Sequence, residues 1–184
     1  MQTRIRTLVA AIVLLGVMST QALADNHAAL TSKTPLTAAE EVQNPAVESD
    51  GLSNAIITFG PRYRKAEVRV TFGNLEGEVT RLHLHCAPAG ENGPIAIGLV
   101  DLVAVSQDNS ESVTLDANTI IGTVRNRQFP DAAANACGIR NLRDLARAIN
   151  IGFIYWNLHT TAFPAGELRG QVAPLAPTRA RRDD

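Results

Sequence analysis

Cysteine and histidine are scarce in this chain of 184 residues, with two of the first and four of the second. Neither sign of charge dominates: 17 lysines and arginines face 18 aspartates and glutamates, so the chain lacks the basic field that marks a nucleic-acid binder. It has no G-x-S-x-G turn, no glycine-rich nucleotide loop and no paired-cysteine zinc motif, which removes the local signatures of an α/β hydrolase, a nucleotide site and a cysteine-built zinc site. Internal repeats and low-complexity tracts are absent too. The one long apolar run, Leu8 to Val17, is too short to span a bilayer.

What surrounds that run gives it a meaning. Arg4 and Arg6 precede it, and Ala22-Leu23-Ala24 follows it as a small-x-small cleavage site. Residues 1–24 therefore read as a secretory signal peptide, and the chain is expected to be periplasmic or secreted, with no membrane insertion after cleavage. Cleavage after Ala24 removes Arg4 and Arg6, leaving 15 of the 17 basic residues against 18 acidic ones, a net charge near −3. Residues 25–34 are small and polar and read as a flexible segment, 35–174 as one β domain, and 175–184 as a disordered tail. In an exported chain two cysteines most simply form one disulfide, Cys86–Cys137. The alternative is a free thiolate serving a metal.

The domain has period two. Glu67-Val68-Arg69-Val70-Thr71-Phe72 alternates polar with apolar, the pattern of a half-buried antiparallel strand. Between Thr80 and Cys86, Leu82, Leu84 and Cys86 share one face, and Arg81, His83 and His85 the other. Turn signals such as Phe59-Gly60-Pro61, Gly73-Asn74 and Phe163-Pro164-Ala165-Gly166 separate these runs. The expected class is all-β: an antiparallel sandwich or barrel, Greek-key-like, resembling superoxide dismutase or an immunoglobulin domain in architecture. One segment breaks the pattern. Leu142, Leu145, Ala146 and Ile149 fall at helical spacing and predict a short helix near 140–149, preceded by a loop from Phe129 to Gly138 that carries Cys137.

Three of the rare residues fall within four positions, in His83-Leu84-His85-Cys86. If Leu82 and Leu84 face the core, His83 and His85 face outward. Further on, Trp156 and Leu158 are the better core candidates, which turns Tyr155, Asn157 and His159 to the outer face. Should the two strands be neighbours, His83, His85 and His159 converge on the outer surface of the sheet. Three nitrogens with an open position suit copper or zinc; a solvated polar face is the plainer alternative. Cys86 points inward on this reading, which favours the disulfide over a role as ligand. Asn157 and Glu167 stand as further neighbours, and Glu167 and Arg169 share an outer face and read as a cross-strand or same-strand ion pair, of little energetic consequence if exposed. A separate site is expected at the new N-terminus, where Asp25-Asn26-His27 offers an amine, two amides and the His27 imidazole as four coplanar nitrogens. That set suits Cu(II) or Ni(II).

Several segments together resemble the CHRD domain family, named after its occurrence in chordin. Leu36-Thr37-Ala38-Ala39-Glu40-Glu41-Val42-Gln43-Asn44-Pro45 is similar to the family's opening segment, His83-Leu84-His85-Cys86 with Gly90-Glu91-Asn92-Gly93-Pro94-Ile95 to its middle one. Tyr155-Trp156-Asn157-Leu158-His159-Thr160 with Pro164-Ala165-Gly166-Glu167-Leu168-Arg169-Gly170-Gln171 is similar to its closing one. Asn44, where the family has proline, and Ala165, where it often has glycine, depart from the pattern. The resemblance implies an extracellular all-β domain and places His83, His85 and His159 inside family segments; it implies no activity. The comparison with copper/zinc superoxide dismutase is one of fold alone, because this chain lacks the further histidines and the aspartate of that enzyme's zinc loop.

Three functions follow as expectations: an exported metal-binding protein, with copper the favoured ion; a non-catalytic interaction or scaffold module with no metal; and, third, a copper-dependent oxidoreductase acting on a small oxygen species. No catalytic residue is identified, and binding is favoured over enzymatic activity. A metal ion is the expected partner, nucleic acid is not, and a protein partner or homodimer stays open.

Overall fold

In the computed structural model the described residues are 28–101 and 113–178. The predicted signal peptide, His27 and residues 179–184 lie outside them. Ten strands form one antiparallel sheet: β1 Leu30–Thr37, β2 Leu52–Phe59, β3 Lys65–Gly73, β4 Val79–Cys86, β5 Ile95–Asp101, β6 Val113–Asp116, β7 Thr119–Arg125, β8 Ile154–Thr160, β9 Leu168–Gln171 and β10 Ala176–Pro177. Their order is β5-β4-β8-β9-β1-β2-β3-β7-β6, with β10 paired to β1. The all-β class expected from the alternation is the one found, as a sheet curled into a half-barrel.

The alternation explains the core. Ala55, Ile57 and Phe59 on β2 lie opposite Val70, Val68 and Ala66 on β3, and Val70 in turn lies opposite Ile120 on β7. All seven are buried. On the other half of the sheet, Leu82 pairs with Leu158 and Leu84 with Trp156, the largest fully buried side chain. The halves meet where β1 touches β9 through the pair Thr37–Arg169. The approach is close: a Cβ on Gly170 would fall 2.2 Å from the Pro35 carbonyl oxygen, so only glycine fits.

Helix α2, Leu142–Asn150, is the predicted one, and it buries Leu142, Leu145, Ala146 and Ile149. Its first turn is capped by Asn141, whose side chain accepts from the Arg143 and Asp144 N–H groups at 2.9 and 3.0 Å. The segment read as a loop before it holds a second short helix, α1, Asp131–Cys137. Its alanine-rich sequence and its aspartate in the first turn supply the local reason. Among the described residues no helix is long and apolar enough to cross a membrane.

Two boundaries shift outward from the sequence reading. β1 begins at Leu30, inside the segment taken as flexible, because the sheet buries Ser32 and Thr34, and the Thr34 hydroxyl accepts from the Ala173 N–H. Small polar residues on the inner face hid this strand. At the other end Ala176 and Pro177 pair with Thr31 and Leu30, so the tail taken to start at 175 is tied down at its beginning.

Cys86 and Cys137 are joined in a disulfide, with Cα atoms 6.0 Å apart and a sequence separation of 51. It fastens the end of β4 to the end of α1. Opening a loop of this size is expected to destabilise the domain by roughly 4 kcal/mol. Intact mass with and without reductant reads the bond directly, and urea unfolding of the two forms reads its energy. Two alkylatable thiols in unreduced protein would contradict it.

Candidate metal centre

β4 and β8 are neighbours, and their register decides which side chains meet. His83 lies opposite Asn157, His85 opposite Tyr155, and Arg81 opposite His159. His159 is thus the diagonal neighbour of His83, within reach for long side chains. On the other side of β4 the pairing with β5 is irregular, with register shifts between Leu82 and His83 and between Leu84 and His85. Such bulges re-aim side chains, and here they flank both histidines of the strand.

The three imidazoles converge. Ring centroids are 5.0 Å apart for His83 and His159, 5.5 Å for His83 and His85, and 6.4 Å for His85 and His159. One nitrogen from each lies within 4.8 Å of the other two. An ion bonded at about 2.0–2.1 Å to all three would set these separations at roughly 3.3–3.6 Å, so closure by about 1 Å suffices.

Two of the rings are fixed by the backbone. His85 Nδ1 is 2.9 Å from the Gly93 carbonyl oxygen, and His159 Nδ1 is 3.0 Å from that of Pro164. A carbonyl only accepts, so each Nδ1 carries the hydrogen and each Nε2 carries the lone pair. This is how ligating histidines are commonly oriented. The His85 Nε2 is itself buried with no hydrogen-bond partner, which is uncommon for a buried polar atom.

The expectation of an exposed site is corrected. His83 is only 3% and His159 only 7% exposed, and His85 is half-buried. Three stretches cover this face of the sheet, bonded to one another and to the sheet. Asn92 donates to the Val42 carbonyl at 2.7 Å and Gln43 to that of Gly166 at 2.8 Å, and from β8 Asn157 donates to the Glu41 carboxylate. Gly166 has φ +130° and leaves no room for a Cβ, which would come within 2.6 Å of both Asn157 and Glu41. Burial pushes the Glu41 carboxyl up, against the pull of its bonds from Gln43 and Asn157 and of the Arg169 charge.

The predicted ion pair of Glu167 and Arg169 is also corrected: they are 0% and 1% exposed, and each has other partners. Glu167 Oε1 accepts from the Ser49 hydroxyl at 2.7 Å and the Glu76 N–H at 2.9 Å, and Oε2 accepts from the Thr160 hydroxyl at 2.6 Å. Arg169 donates to Asn92 Oδ1 at 3.0 Å and to the Glu91 carbonyl at 2.8 Å. Its guanidinium lies 3.6 Å from the centroid of Tyr155, whose ring stacks on His85 at 4.9 Å. Cys86 contributes no ligand, being in the disulfide.

His85 is lowered to about 4, chiefly by burial and in smaller part by nearby His159 and Arg169, with the Gly93 bond opposing them. In an unfolded chain this group titrates near 6.5. Between those values the unfolded state binds the proton and the folded state does not, so apo stability is full above about pH 6.5 and falls as pH drops toward 4. The expected loss is roughly 3 kcal/mol across that window. Urea unfolding of metal-free protein at pH 7 and pH 4.5 tests it, and His85→Ala should flatten the dependence. An equal slope in parent and variant would assign it to other groups.

Residues 32–172 match the family model of the CHRD domain. No curated protein and no solved structure matches the chain.

Proposed function

The chain belongs to the CHRD domain family, and on that premise we propose that it is an exported protein, periplasmic or secreted, that binds one metal ion, copper before others, through His83, His85 and His159. The observation that carries this reading is the convergence of one nitrogen from each ring within 4.8 Å, with two rings oriented by backbone carbonyls. The donor set fits a first-row ion: imidazole suits copper and zinc, and three ligands leave a position open. The low pKa of His85 keeps that ring neutral, hence able to ligate, throughout the physiological range. The disulfide and the family agree with export.

The test is elemental analysis of protein taken from the exported fraction of its host without added metal. About one copper per chain, lost when the histidines are replaced, supports the reading. Protein that is exported, folded and free of metal would favour an interaction module instead. A second copper site at Asp25-Asn26-His27 is proposed separately. N-terminal sequencing tests it first, since any start other than Asp25 removes it.

A further inference from the structure

We propose that the three-histidine centre selects copper in its reduced, singly charged state, Cu(I), over Cu(II) and Zn(II); this rests on the metal-binding reading above. Ligand affinity in water ranks Cu(II) first among the divalent first-row ions, so the preference has to come from the surroundings, and the surroundings are specific. The donor cluster consists of three imidazoles, ligands that bring no charge to a bound ion, with no carboxylate or thiolate in it, so whatever charge the ion carries stays on the complex. Two of the three rings are more than nine-tenths buried. The penalty for moving an ion from water into such a place grows with the square of its charge, about four times greater for a dication than a monocation of similar size.

The fixed charges add to this. Arg169 is buried and stacked on Tyr155, which stacks in turn on His85, so a guanidinium stands one ring behind a ligand and repels a dication twice as strongly. Glu41, the carboxylate that reaches this face, is engaged by Asn157 and Gln43 rather than by the histidines. Geometry points the same way. Cu(II) favours square-planar or tetragonal surroundings, whereas these three rings come from two adjacent strands with tilts of 38–60° between them. Cu(I), a closed-shell ion, makes no such demand.

The experiment uses the full exported chain carrying His27→Ala, so that the N-terminus does not compete for Cu(II), with the disulfide intact. Cu(I) is supplied anaerobically as its bicinchoninate complex without thiol, and Cu(II) and Zn(II) are titrated against a chromophoric chelator, all at pH 7. The expected result is one Cu(I) per chain, bound at least tenfold more tightly than either divalent ion and weakened by a further His85→Ala change. The double change Glu41→Gln with Asn157→Asp keeps the hydrogen-bonded pair but moves its negative charge toward the histidines. It should narrow the preference at least tenfold. A preference below tenfold in the parent, or an unchanged ratio in the double variant, overturns the selection of Cu(I) while leaving the metal site in place. Failure to bind any of the three ions, or binding indifferent to His85→Ala, overturns the metal-binding reading itself.

Discussion

Replacing His83, His85 and His159 together by alanine is expected to abolish copper binding by the folded domain, and each single change to weaken it by at least about 100-fold. Losing a ligand should exceed the 10- to 100-fold that follows from losing a residue which merely orients one. Binding also shows as stability: an ion present at about 100 times its Kd adds roughly 2.7 kcal/mol to the folded state, or about 5–10 °C in Tm for a domain of this size. The parent should gain that shift with copper and the triple variant should not. Because His83 and His159 are buried, their truncation also leaves small cavities, and the apo triple variant should lose roughly 2–4 kcal/mol. His85→Ala is the cleaner single test, since His85 is the least buried of the three. A copper-dependent rise in Tm that survives all three changes would place the ion elsewhere.

The second large effect is expected far from any metal chemistry. Glu167→Ala should destabilise the domain by about 5 kcal/mol. The carboxylate is fully buried and holds three donors from separate parts of the chain: Ser49 ahead of β2, Glu76 ahead of β4, and Thr160 at the end of β8. Hydrogen bonds to a charged acceptor contribute about 1.5–3 kcal/mol each, and truncation removes all three, leaving the buried Thr160 hydroxyl and the part-buried Ser49 and Glu76 donors without this acceptor. Glu167→Gln should be milder, by about 2 kcal/mol or more. Its oxygen can still accept from Ser49 and Glu76, and its amide can donate to the Thr160 hydroxyl. Urea unfolding of both variants decides. Equal losses would mean that packing, and not the acceptor geometry, is what Glu167 supplies.

These two predictions differ in how much of them the sequence contained. Alternation along β4 and β8 is a local property, and it placed His83, His85 and His159 on one face before any tertiary contact was known. The short helix α2 is legible from spacing, and the cysteine pairing from the count and the expectation of export. What covers the histidine face was not legible. The cover is built from the stretches around Glu41–Gln43, Glu91–Gly93 and Pro164–Gly166, and irregular loops carry no periodic signal. Strand alternation alone therefore sent His83 and His159 to solvent, when the loops had buried them. The burial of Glu167 and Arg169 is hidden from strand alternation for the same reason. A charged residue on a sheet's outer face is usually wet, and the partners that dry these two, Ser49, Glu76, Glu91 and Asn92, are more than 70 residues away in sequence. The inner face of β1 escaped notice because Ser32 and Thr34 stand where apolar residues normally mark a strand.

Anomalous diffraction at the copper edge, from crystals of the exported chain loaded with one equivalent of copper, tests the metal centre most directly. The predicted result is one strong peak between β4 and β8, about 2.0–2.1 Å from a nitrogen of His83, of His85 and of His159. A well-occupied peak elsewhere on the domain, with the three imidazoles left as they stand, would contradict it.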